Sequence, residues 1–197
     1  MSDFFMHSGH RVDLAAVRAE DARLPDLAWH LAREPRWVNA TTETVTVLEH
    51  LLYCDDLACT EKNDEVWGHG EFGRLRICIL LHDVEEAYTG DPPSGLKDAV
   101  PALAVYMVRL RATIFAALGV RLMSPPEAEF VKHYDHLSAT YEAMHYMRTG
   151  NALGACRRAW GVEAPRLHMN RHEPASAERE WLRRLADLGV TDNGKES

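Results

Sequence analysis

No stretch of this 197-residue chain approaches about 18 uninterrupted apolar residues, so no transmembrane helix is expected. The opening residues, MSDFFMHSGHRVDL, have neither a basic start nor an extended apolar region and do not read as a signal peptide. Basic residues are in deficit, 22 against 30 acidic, for a net charge of −8. That argues against nonspecific binding to a nucleic-acid backbone, which needs a positive field. It leaves room for a small anionic substrate, because a metal and a few local cations can hold phosphates in an acidic protein. Cysteine is scarce, and Cys54, Cys59, Cys78 and Cys156 form no CxxC pair. Free thiols in a reducing cytosol follow, with Cys78 a small buried side chain. Repeats, low-complexity segments and alternating runs long enough for a sheet are all missing. What remains reads as one all-α domain, 1–197, with a core over about 24–150 and a C-terminal helical extension over 151–197.

Apolar spacing marks the helices. Residues 1–12 read as an arm or loop. Leu24, Leu27, Ala28 and Leu31 repeat at helical intervals, with Pro25 in the first turn and an end before Pro35. A second helix is expected from about Thr44 to Cys59, and EKNDEVWGHG reads as a polar connection. A third helix is expected from about Glu71 to Tyr88, stopped by GDPPSG. Leu103, Tyr106, Met107, Leu110, Ile114 and Leu118 imply a fourth, ending at Gly119. Ser124 followed by prolines opens a fifth, running to about Arg148. The segment from Thr149 to Pro174 has no clear pattern. A last helix carries Trp181, Leu182, Leu185 and Leu188.

The chemistry centres on the doublet His82-Asp83 in RICILLHDVEEAYTGDPPSGLK. Both are polar residues in an apolar helical run, where unpaired burial costs roughly 2–7 kcal/mol. A divalent metal satisfies both at once, and imidazole with carboxylate suits Zn, Mn, Fe or Co. His50 in TTETVTVLEHLLYC and Asp135 in EAEFVKHYDHLSATYEAM are the candidate partners. Taken singly, His50 also reads as a hydrogen-bonded core histidine and Asp135 as a solvated helix charge.

The order His50…His82-Asp83…Asp135 across three helical segments resembles the HD-domain metal-dependent phosphohydrolases. The likeness extends to Arg36-Trp37 upstream, to Glu86, Thr89-Gly90-Asp91 and Lys97 after the doublet, and to Lys132 before Asp135. The series is most similar to bacterial 5'-deoxynucleotidases and phage dATP triphosphohydrolases, over about residues 24–150. It implies an HD-type helical bundle with a Zn, Co or Mn ion on His50, His82, Asp83 and Asp135. A second, weakly held Mg or Co ion is allowed. Glu86 would orient or activate water, and Asp91 would protonate the leaving O5' or steer that water. Arg36, Lys97 and Lys132 would meet the phosphates, and Trp37 and Asn39 the sugar or base.

Each residue also has a plainer reading. Asp91 can cap its own turn, Trp37 can be a core anchor, and Lys132 can pair with Asp135 on the surface. Lys97 can merely begin a helix, and Glu85 is expected to point to solvent. Between Val84 and Tyr134 the only histidine is His133, which weighs against a histidine-rich dinuclear site. The expected activity is hydrolysis of purine 2'-deoxynucleoside 5'-phosphates by a cytoplasmic homo-oligomer, in the host cytoplasm if the chain is phage-encoded. Conversion of dATP to deoxyadenosine and triphosphate is favoured by three candidate cations and a short, phage-like chain. The alternatives are a 5'-deoxynucleotidase acting on monophosphates and a non-catalytic nucleotide-sensing module.

Overall fold

In the computed structural model, residues 3–61, 63–148 and 150–192 are described, apart from the side chains of residues 63 and 64. Thr149 and part of the EKNDEVWGHG connection therefore lie outside the described residues. The fold is all-α, and among the described residues no helix is long and apolar enough to cross a membrane. From Asp3 onward the N-terminal segment is not a loose arm. Asp3–Phe5 (β1) and Arg11–Asp13 (β2) form a small antiparallel hairpin, with Phe4 opposite Val12. The strands are too short for alternation to show in the sequence, yet Val12 is wholly buried.

Helices follow in the order α1 (Leu24–Leu31), α2 (Val47–Thr60), α3 (Asn63–Trp67), α4 (His69–Leu81) and α5 (Glu86–Thr89). Then come α6 (Ser94–Ala99), α7 (Pro101–Ala117), α8 (Pro125–Tyr146), α9 (Gly150–Trp160) and α10 (Pro174–Asp187). Capping sets two starts. Thr46 and Glu49 exchange side-chain bonds at α2, and Glu127 accepts from the Ser124 amide at α8. The patternless segment after Tyr146 supplies α9.

Two apolar clusters flank α2 and α4. One gathers Leu27, Leu31, Leu48, Leu51, Leu81, Ile114, Phe115, Trp181 and Leu185. The other gathers Tyr53, Cys54, Phe72, Leu75, Ile79, Val131 and Tyr134. Helix α10 lies in the first, so the segment read as an extension is built into the core. Its Trp181 Nε1 donates to the Leu80 carbonyl at 2.8 Å, bracing the end of α4. Buried Asp55 on α2 accepts from Arg76 on α4 at 2.7 Å and Arg184 on α10 at 2.9 Å.

The third helix differs from expectation where it matters. It ends at Leu81, and His82 to Glu85 form turns before the single turn of α5. The His82 amide reaches only the Ile79 carbonyl, at 3.5 Å. The doublet therefore caps a helix, and Glu86 is not on a continuous face with His82. Gly90 ends α5 with φ 71°, and a Cβ there would stand 2.9 Å from Glu34 Oε1.

Candidate metal centre

Helix α2 supplies His50, the end of α4 supplies His82 and Asp83, and α8 supplies Asp135. His50 Nε2 stands 3.3 Å from His82 Nε2, 3.3 Å from Asp135 Oδ1 and 4.0 Å from Asp83 Oδ2. His82 Nε2 stands 3.2 Å from Asp83 Oδ2. His50, His82 and Asp83 form a group able to hold a metal ion, their donor atoms all within 4.8 Å of one another. His50 is fully buried, while the side chains of Asp83 and Asp135 are 16% and 34% exposed and mark the open side.

Both histidines are fixed through Nδ1. The Glu142 carboxylate and the Ile79 carbonyl can only accept, so His50 Nδ1 donates to Glu142 Oε1 at 2.8 Å. His82 Nδ1 donates to Ile79 O at 2.8 Å. That assigns the tautomers and turns both Nε2 atoms inward. Two bare nitrogen lone pairs 3.3 Å apart repel unless a cation or proton lies between them. The spacing also suits an ion, because ligands about 2.0–2.1 Å from a metal lie roughly 2.9–3.4 Å apart along the edges of its coordination shell. Burial and Arg36 press the His50 pKa down, but Cys54, Glu142 and Asp135 outweigh them and hold it well above its ordinary value. An ion and a proton thus compete for this nitrogen.

Glu142 was not singled out in the sequence, yet it is the hub behind the centre. Fully buried, it accepts from Arg36 Nε at 2.9 Å, Trp37 Nε1 at 2.7 Å and Ser138 Oγ at 3.0 Å, besides His50. Burial would raise its pKa, but Arg36 and His50 hold it far below the usual carboxylate range. Its signal was present in the spacing. Ser138 and Glu142 follow Asp135 by three and seven residues, one helix face.

Arg36 is buried, with Nη1 3.8 Å from Asp83 Oδ2. It begins a turn in which Trp37, Val38 and Asn39 all adopt left-handed φ, 57°, 53° and 57°. Such residues cost about 1–2 kcal/mol each. Bonds hold them there: Trp37 through Glu142, and its amide through Asp91 Oδ2 at 3.2 Å. Asp91 thus ties the Gly90 turn to this loop, in place of capping its own backbone. Asn39 is exposed, and its Oδ1 accepts from Thr44 at 3.1 Å.

Glu86 is buried, and its Oε2 has no hydrogen-bond partner among the described residues. Burial, with Asp83 and Asp91 adding to it, holds its pKa well above the ordinary value. Lys97 Nζ lies 3.6 Å from its other oxygen. Lys132 is exposed one turn before Asp135 and takes no bond or ion pair among the described residues. Glu85 departs from expectation. It is wholly buried, forked by Arg111 through Nε at 2.8 Å and through Nη2. A hydrophilic residue between two helix ends looks solvated in sequence, and only tertiary packing brings α7 over it.

No family model matches this chain. An uncharacterized protein of Rhodobacter capsulatus is 33% identical over 142 residues, spanning 70% of this chain and 69% of that one. The chain belongs to that protein's family.

Proposed function

We propose that this chain is a metal-dependent HD-type phosphohydrolase of purine 2'-deoxynucleotides. One observation carries the reading: two Nε2 atoms, each fixed by a bond at Nδ1, meet the carboxylates of Asp83 and Asp135 on the open side of a buried cluster. That donor set suits Zn, Co or Mn, with Asp135 as the fourth ligand. A divalent ion held there supplies a Lewis acid that polarises a phosphoryl oxygen and acidifies water.

The chain's own residues do the rest. Glu86, with an unpartnered buried oxygen and a raised pKa, takes the proton of the attacking water. The water oxygen bonds to the α-phosphorus and the bond from phosphorus to O5' breaks; the proton taken by Glu86 is relayed through Asp91 to O5', so that neither carboxylate ends the cycle changed. Arg36 beside Asp83 and Lys97 beside Glu86 supply the positive charge that meets the phosphates. Trp37 packs at the sugar, where it disfavours a 2'-hydroxyl, and Asn39 stands beyond it toward the base. The favoured substrate is dATP, giving deoxyadenosine and inorganic triphosphate. The enzyme acts in the cytoplasm as a homo-oligomer.

The test is product analysis on dATP, dGTP, dAMP and ATP with Mn, Co or Zn present, in wild type, Glu86→Ala and Asp91→Ala. Deoxyadenosine and triphosphate are expected from dATP, with turnover lower by about 100-fold or more in both variants. Faster hydrolysis of dAMP turns the assignment to a 5'-deoxynucleotidase. Nucleotide binding without turnover turns it to a sensor.

A further inference from the structure

We propose that Arg111 is a phosphate-binding residue of this site and that it engages the phosphates beyond the scissile one; this rests on the phosphohydrolase reading. Arg111 lies on α7, 28 residues after the doublet, and no motif marks it. Its Nη2 stands 3.9 Å from Asp83 Oδ1. The other carboxylate oxygen, Oδ2, is the one that faces His82, His50 and Arg36. Arg111 therefore stands on the Oδ1 side of the Asp83 carboxylate, with the metal-binding nitrogens on its Oδ2 side. With the phosphorus under attack held at the ion on the Oδ2 side, a phosphate chain that passes Asp83 brings its further phosphates to Arg111.

The side chain is aimed and only partly used. Glu85, wholly buried, holds Nε and Nη2 as a fork, fixing the guanidinium plane so that little freedom is lost on binding. Nη1 takes no hydrogen bond among the described residues, and the side chain is 28% exposed. Lys97 on α6 stands 3.6 Å from Glu86, and α6 packs on α7. The two helices after the Gly90 turn thus each bring a cation to the Asp83–Glu86 pair. Lys132 was the third cation expected from sequence. It lies exposed with no bond among the described residues, whereas Arg111 is already in place.

The experiment pairs Arg111→Gln with Glu85→Gln, so that no buried carboxylate is left without its cation. Arg111→Lys is a second variant that keeps charge but loses the fork. Manganese-loaded protein is titrated calorimetrically with inorganic tripolyphosphate and with orthophosphate, and metal content and melting temperature are recorded. The double variant should keep its metal and weaken tripolyphosphate by about tenfold more than orthophosphate, the scale of a lost bond to a charged group. KM for dATP should rise more than KM for dAMP, with Arg111→Lys between wild type and the double variant. Equal weakening of the two anions, loss of metal, or unchanged tripolyphosphate binding would overturn the assignment. If wild type binds tripolyphosphate through Arg111 yet hydrolyses no nucleotide, the phosphohydrolase reading fails and the anion site stands. If nucleotides are hydrolysed and the double variant discriminates like wild type, only the Arg111 proposal fails.

Discussion

Glu142 and Glu127 lie near opposite ends of α8, and each is held by arginine, but they do different work. Glu142 is sealed inside, shared among Arg36, Trp37, Ser138 and His50. Glu127 sits at the helix start, accepting from Arg74 at 3.0 Å, Arg121 at 2.7 Å and the Ser124 amide at 2.7 Å. Arg121 is largely exposed, so water screens that pair and its net worth is modest. The Glu142 network has no such relief. A buried ion pair seldom improves on apolar packing, so what this one contributes is orientation. It fixes the ring of His50 and anchors the left-handed loop of Trp37 beside it. One helix therefore carries a carboxylate for stability at one end and a carboxylate for site geometry at the other.

The largest effect should come from Glu142. Replacing it with Ala strands the Arg36 guanidinium and frees the His50 ring. Stability should fall by about 3–5 kcal/mol in denaturant titrations. Glu142→Gln should fold better, yet bind metal about 10–100-fold more weakly, the usual cost of losing a partner behind a ligating histidine. Wild-type metal affinity in the Gln variant would erase the distinction between the two glutamates.

A smaller effect belongs to Glu127. Burial acts against its charge, but Arg121, the Ser124 amide and Arg74 bring its pKa to about 2, against an ordinary 4.5. A depressed carboxylate contributes stability above the unfolded value, and that contribution is lost as pH falls from 4.5 toward 2. Glu127→Gln should cost about 1–2 kcal/mol near neutrality, after discounting for the exposed arginine. The gap from wild type should close as pH drops through that window. Metal binding should not change. A gap independent of pH would contradict the ion-pair role of Glu127, and a loss of metal would give that residue a part in the site.

Much of the helical frame was legible because apolar spacing and caps are local. Thr46 with Glu49, Ser124 with Glu127, and Pro25 mark starts that the structure places within a few residues of those expected. The break at His82 was not legible. An apolar run such as RICILL continues smoothly into HDVEEAY, and nothing local says that the helix unwinds at the doublet. The hairpin of Asp3–Phe5 and Arg11–Asp13 was hidden by its brevity. At the site, His50, His82, Asp83 and Asp135 were readable as an ordered set. Their supports were readable only in part. Glu142 lies on the face of Asp135 and could have been found by counting turns. Glu85, Arg111 and Glu34 could not, since their partners lie at least 26 residues away.

The proposed coordination by His50, His82, Asp83 and Asp135 can be read by elemental analysis of the purified chain and of its His82→Ala and Asp83→Ala variants, alongside circular dichroism. Stoichiometric metal in wild type, most of it lost in both variants with helicity intact, is the predicted result. Stoichiometric metal retained in both variants would contradict the coordination set.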